Sequence, residues 1–129
     1  MIEKHFDKIE RAIKNNFLVI FSDFQKVYTS QSSAYLRGKV RFLNNSYLSL
    51  FHYVYFKDDK YSIDYRYHYM DPENTTIFLY DNAPHYPNIN TFPNHKHTRT
   101  EVKESTMPSV EDLMNEINQY IIKGMVSDK

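Results

Sequence analysis

Ile2, Phe6, Ile9 and Ile13 recur at steps of four, three and four, while Glu3, Lys4, Asp7, Lys8, Glu10 and Arg11 fill the positions between them. That spacing predicts an amphipathic helix with one buried face, stopping near Asn15-Asn16. From Phe17 to Val27 the chain is apolar and β-leaning, and the polar residues Thr29 to Ser33 follow as a turn, so a first strand is expected there. Tyr35, Arg37, Lys39 and Arg41 then alternate with Leu36, Gly38, Val40 and Phe42, which puts cations on one face of a strand and apolar groups on the other. Beyond an Asn44-Asn45-Ser46 turn, Tyr47 to Phe56 is apolar on both faces, as expected of a central strand. Lys57 to Lys60 turns the chain again. Tyr61 to Met70 alternates once more, with Ile63, Tyr65, Tyr67 and Tyr69 on one side and Asp64, Arg66 and His68 on the other. After Asp71 to Asn74, Thr75 to Tyr80 makes a last short strand.

Asp81 to His97 breaks the pattern. Pro84, Pro87 and Pro93 each lack a backbone donor and fix φ, which suits neither a helix nor a central strand, so a loop is expected throughout. Further on, Ser109 precedes Glu111 and Asp112 as an N-cap before an acidic first turn, and Val110, Leu113, Met114, Ile117, Tyr120 and Ile121 form an apolar stripe that Gly124 can close. The expected architecture is α+β: an N-terminal helix, an antiparallel sheet of about five strands, a His/Pro-rich loop and a C-terminal helix, with the helices on one sheet face.

At 129 residues the chain is expected to form one domain spanning 1–129. Sixteen basic and sixteen acidic side chains cancel, so any attraction to nucleic acid must come from a local patch. The absence of cysteine excludes thiol catalysis, disulfides and thiolate zinc sites, and is compatible with a reducing cytosol. No apolar run is long enough to span a bilayer, and the charged start is unlike a signal peptide, so no membrane association and a cytoplasmic location are expected. Twelve tyrosines favour half-buried strands and also permit base stacking and phosphate contacts. With only two glycines and no glycine-rich phosphate loop, a P-loop or dinucleotide fold is disfavoured.

Candidate chemistry concentrates in the loop, which holds His85, His95 and His97, half the histidines of the chain. In an extended segment His95 and His97 point to one side and Lys96 to the other, and with His85 or Asp81 they offer three ligands for zinc or iron. The same imidazoles suit acid/base work or phosphate contact, and exposed loop histidines without a role are ordinary. Arg66 and His68 share a strand face, and Arg37, Lys39 and Arg41 share another; such groups can support metal-free cleavage of RNA by its own 2′-hydroxyl, or simply form a solvated sheet face. The tyrosine series reads first as core.

The order of these pieces carries a resemblance. Tyr35-Leu36-Arg37-Gly38, Tyr65-Arg66-Tyr67-His68-Tyr69, and Tyr80-Asp81-Asn82-Ala83-Pro84-His85 followed by Thr91-Phe92-Pro93-Asn94-His95-Lys96-His97 resemble the TumE-like family of small prokaryotic toxins, over nearly the whole chain. The resemblance implies the toxin component of a type II toxin-antitoxin module, a cytoplasmic growth inhibitor neutralised by a helix-turn-helix antitoxin. By class it also implies an endoribonuclease with an RNA substrate. His52 is a departure, since an acidic residue is expected there in relatives. The combined reading needs no metal and no cofactor. It assigns His85, His95 and His97 to acid, base or phosphate contact, Arg66 and Lys96 to charge stabilisation, and His68, Tyr67, Asp81 and Arg37 to the surroundings of the substrate. The alternatives are a non-catalytic module that docks RNA or protein, and a metal-dependent enzyme built on the histidine loop.

Overall fold

A computed structural model describes residues 2–127. Helix α1 (Ile2–Lys14) is followed by β1 (Val19–Ser30), β2 (Ser33–Phe42), β3 (Tyr47–Lys57), β4 (Lys60–Met70) and β5 (Thr76–Asp81). Two further strands, β6 (His95–Thr98) and β7 (Val102–Glu104), precede helix α2 (Val110–Ser127). All seven strands pair antiparallel in chain order, so the sheet is a meander with β1 at one edge and β7 at the other. The α+β class and both helices match the expectation, but the sheet has seven strands rather than about five. The two added strands are short and come from residues expected to be loop or left unassigned.

The turns follow their residues. Asp58 and Asp59 both have positive φ, 53° and 61°, and join Lys57 to Lys60 as a two-residue hairpin of the type whose twist matches its strands. Asn45, at φ 66°, serves the preceding tight turn between β2 and β3, where the Asn44 side chain accepts hydrogen bonds from the Ser46 backbone and hydroxyl.

Both helices lie on one face of the sheet, and the alternation decides which side chains they cover. Ile2, Phe6, Ile9 and Ile13 of α1 and Leu113, Met114, Ile117 and Ile121 of α2 are buried against Leu36, Val40, Leu50, Tyr65, Tyr67 and Tyr69. The tyrosine stripe is therefore core, each ring worth on the order of 2 kcal/mol or more in burial. Gly38 is favoured by close approach, since a Cβ there would sit 3.0 Å from the Phe24 ring and push it aside by a few tenths of an ångström. Ser109 caps α2 by accepting from the Asp112 N–H at 3.0 Å. Gly124 does not end α2, which continues to Ser127; a single helical glycine costs only about 1 kcal/mol. Among the described residues, no helix is long and apolar enough to cross a membrane.

Candidate functional site

Directly paired residues of antiparallel strands project to the same face, so the register assigns every side chain a side. Arg37 pairs with Phe51, Phe51 with Arg66, Arg66 with Asp81 and Asp81 with His95. This row crosses the face opposite the helices and spans about 19 Å at the usual strand spacing. In the neighbouring row Lys39 pairs with Ser49, Ser49 with His68, His68 with Leu79 and Leu79 with His97. The open face thus carries cations on β2 and β4 and imidazoles on β4 and β6.

The segment between β5 and β6 folds against this face. Asn82 anchors its start by accepting from the Tyr65 backbone N–H at 3.0 Å and donating to the Ile63 carbonyl at 2.7 Å. Asn94 anchors its end by accepting from the Tyr65 hydroxyl at 2.8 Å, and Thr91 bonds both the Asn94 carbonyl and the Ser105 N–H. Tyr86 is thereby held against the histidines, its ring centre 4.9 Å from that of His95, 5.6 Å from His97 and 6.4 Å from His85. Sequence reasoning passed over Tyr86; its position beside His85 in the proline segment was the available signal.

His95 is almost fully buried, at 1 % exposure. Its Nδ1–H donates to the Pro93 carbonyl at 2.9 Å, which leaves Nε2 as the ring position facing Asp81. Nε2 lies 2.7 Å from Asp81 Oδ1, yet off the direction a hydrogen bond needs, and it has no hydrogen-bond partner among the described residues. The two atoms are thus in close polar contact without hydrogen-bond geometry. The His97 ring stands edge-on to His95 at 4.8 Å between centres. Burial, then the His95 ring, hold His97 below the usual imidazole range against the opposite pull of Asp81, with Arg66 and His85 acting in the same direction as His95. One donor atom from each of Asp81, His95 and His97 falls within 4.8 Å of the others.

A cleft of about 850 Å³ opens over the cluster, lined by Arg66, Thr76, Asp81, His85, His97 and Arg99 among others. A second, of about 280 Å³, is lined by Arg37, Lys39, Phe51, Arg66 and His68. Arg66 borders both. Arg37 lies over the rings of Tyr35 and Phe51 at 5.3 and 5.1 Å, and His68 is held by Thr76 Oγ1 at 2.6 Å. Burial and then Arg66 lower the pKa of His68. Arg99, also missed in the sequence, pairs with Asp71 at 3.0 Å on the cleft rim.

The structure therefore gathers His85, His95, His97, Asp81, Arg66, His68 and Arg37 on one face. Two expected members are elsewhere. Lys96 points to the helix side, as alternation demands, where it meets Glu116 of α2 at 2.6 Å. Tyr67 is fully buried beneath the helices, hydrogen-bonded to His52, and cannot reach a substrate on the open face. His52 is equally buried there, so the position where an acidic residue is expected in relatives belongs to the core and not to the cleft. His95 and His97 themselves stand on a strand, because β5 offers an edge for β6 to pair with.

The model of the family described as Toxin TumE matches residues 9–125, which takes in the second half of α1, all seven strands and most of α2. The chain belongs to the TumE toxin family. A toxin role follows for it, and a toxin implies an antitoxin partner. The match covers the His95-Lys96-His97 strand, Asp81 and Arg66, so the TumE family assignment and the open-face cluster concern the same part of the chain. No curated protein and no solved structure matches the chain.

Proposed function

We propose that this TumE-family toxin is the growth-arresting component of a type II toxin-antitoxin module and acts in the cytoplasm as a metal-independent endoribonuclease on its open sheet face. One observation carries this reading: Arg66, Asp81 and His95 form a single cross-strand row, with His97 beside them at the end of a cationic surface. RNA brings its own nucleophile, so the protein need only move two protons and balance charge on the phosphorus.

In this reading His97, open to the cleft, takes the proton of a 2′-hydroxyl as that oxygen bonds to phosphorus. The P–O5′ bond breaks, and His85 on the rim returns a proton to the leaving 5′-oxygen. The products are a 2′,3′-cyclic phosphate and a 5′-hydroxyl. Arg66 offsets charge on the phosphorane, while Arg37 holds phosphate further along the sheet. His95, too buried to touch substrate, is a positioning residue that sets Asp81 and the His97 ring. His68 borders the substrate path. A helix-turn-helix antitoxin would silence the toxin by covering this face.

Inducible expression of wild type, His97→Ala and Arg66→Gln, followed by growth curves and total-RNA profiling, tests the proposal. Purified wild-type protein should cleave RNA in EDTA and leave cyclic phosphate ends, and both variants should be non-toxic yet folded. Full toxicity of a folded His97→Ala variant overturns the assignment. Intact RNA, together with tight binding of one partner, favours a non-catalytic docking module instead.

A further inference from the structure

We propose that Asp81, His95 and His97 together bind a divalent transition-metal ion, Zn2+ by the character of the donors, and that the bound ion holds the toxin inactive. The binding claim stands on geometry alone; the inhibitory consequence rests on the cleavage reading above.

The donor set is one carboxylate oxygen and two imidazole nitrogens, a combination that suits zinc and its neighbours rather than magnesium or calcium. Its most telling member is His95. In a neutral ring, donation from Nδ1 to the Pro93 carbonyl leaves the lone pair on Nε2, the arrangement that backbone carbonyls impose on metal-binding histidines. That lone pair is buried, has no hydrogen-bond partner and faces a carboxylate oxygen 2.7 Å away. Two lone pairs set against each other repel unless a cation, either a proton or a metal ion, lies between them, and a metal ion can also draw in His97. The Ala83 N–H, at 3.2 Å from Asp81 Oδ1, satisfies the carboxylate only in part.

The remaining geometry needs only small movement. Ligands around tetrahedral zinc stand about 3.3–3.5 Å apart, so the 2.7 Å contact must lengthen and donor separations of up to 4.8 Å must shorten. Asp81 and His97 are partly exposed and can rotate to do this, whereas His95 is fixed. The cleft leaves the outer coordination position open to solvent. His85 lies on the rim outside the three-donor group, so of the two ligand sets expected from sequence the structure favours the one with Asp81. Zinc on His97 would occupy the lone pair needed to take the 2′-hydroxyl proton, so metal-loaded protein should not cleave.

The test uses full-length protein without a histidine tag, stripped with EDTA, desalted, and titrated with Zn2+ against a chromophoric chelator. Wild type should take up one zinc per chain, and Asp81→Asn and His97→Gln, each checked for native circular dichroism, should bind at least about tenfold more weakly. His85→Gln should bind like wild type. Failure of wild type to compete with the chelator overturns the proposal, as does wild-type binding by both Asp81→Asn and His97→Gln. In a parallel RNA assay, EDTA-treated protein should cleave and stoichiometric zinc should stop it. Absence of cleavage in EDTA removes the ribonuclease reading while the chelator titration still decides the metal site; undiminished cleavage by zinc-loaded protein overturns the inhibitory role.

Discussion

Lys96 Nζ lies 2.6 Å from Glu116 Oε2, and the other oxygen of that carboxylate accepts from the Tyr80 hydroxyl at 2.6 Å. The ammonium also sits over the Phe78 and Tyr80 rings, at 5.1 and 4.9 Å. A lysine flanked by two site histidines therefore fastens β6 to α2 on the far side of the sheet. Because the pair is partly exposed, Lys96→Met should cost about 1 kcal/mol or less in urea denaturation. Its RNA cleavage rate in EDTA should equal that of wild type. Loss of cleavage by a folded Lys96→Met variant would place the ammonium in the chemistry after all.

Lys96 also marks what the sequence could and could not disclose. Alternation alone separates it from His95 and His97, just as it places Tyr65, Tyr67 and Tyr69 in the core and Arg66 and His68 outside. Periodicity of this kind is local and survives folding unchanged. The strand holding the histidines was illegible because β6 has only four residues and follows a proline segment; it exists through pairing with β5, a tertiary effect. For the same reason Asp81 was legible as a candidate ligand beside the histidines, but only as one of two choices with His85. Its apposition to His95 depends on the register at which the chain returns, which Asn82, Thr91 and Asn94 set through side-chain hydrogen bonds. The end of α2 was misplaced because glycine weakens a helix without terminating it.

Arg66 and Arg37 occupy one cross-strand row but different parts of the surface, since Arg66 borders both clefts and Arg37 only the smaller. Their substitutions should separate binding from chemistry. Arg37→Gln should weaken RNA binding across sequences and reduce the dependence of log affinity on log salt by about one, with single-turnover cleavage at saturating protein unchanged. Arg66→Gln should weaken binding similarly and also slow that saturated rate by about a hundredfold or more, as loss of a group facing developing charge does. Equal effects of the two on the saturated rate would remove Arg66 from the cleavage centre.

Beneath the helices, His5 Nε2 and His52 Nδ1 are 3.2 Å apart, and His52 Nε2 shares a hydrogen bond with the Tyr67 hydroxyl. His52 is fully buried, and burial, then the charge of His5, hold its pKa down to about 3. Burial and Lys8 lower His5 as well, and Lys8 and Glu111 line the adjoining cavity. The unfolded histidine titrates near 6.5, so between these values the unfolded chain binds a proton that the folded chain refuses. Stability from the neutral His52 is therefore full above pH 6.5 and falls as pH drops, by about 2 kcal/mol between pH 7 and pH 5. His52→Leu strands the Tyr67 hydroxyl and should be less stable than wild type at pH 7. Its further loss between pH 7 and pH 5 should nevertheless be about 2 kcal/mol smaller than that of wild type, because the titrating group is gone while His5 remains in both. Urea denaturation of the two proteins at each pH measures this difference free of any constant offset, and equal losses would mean that His52 is not held neutral in the core.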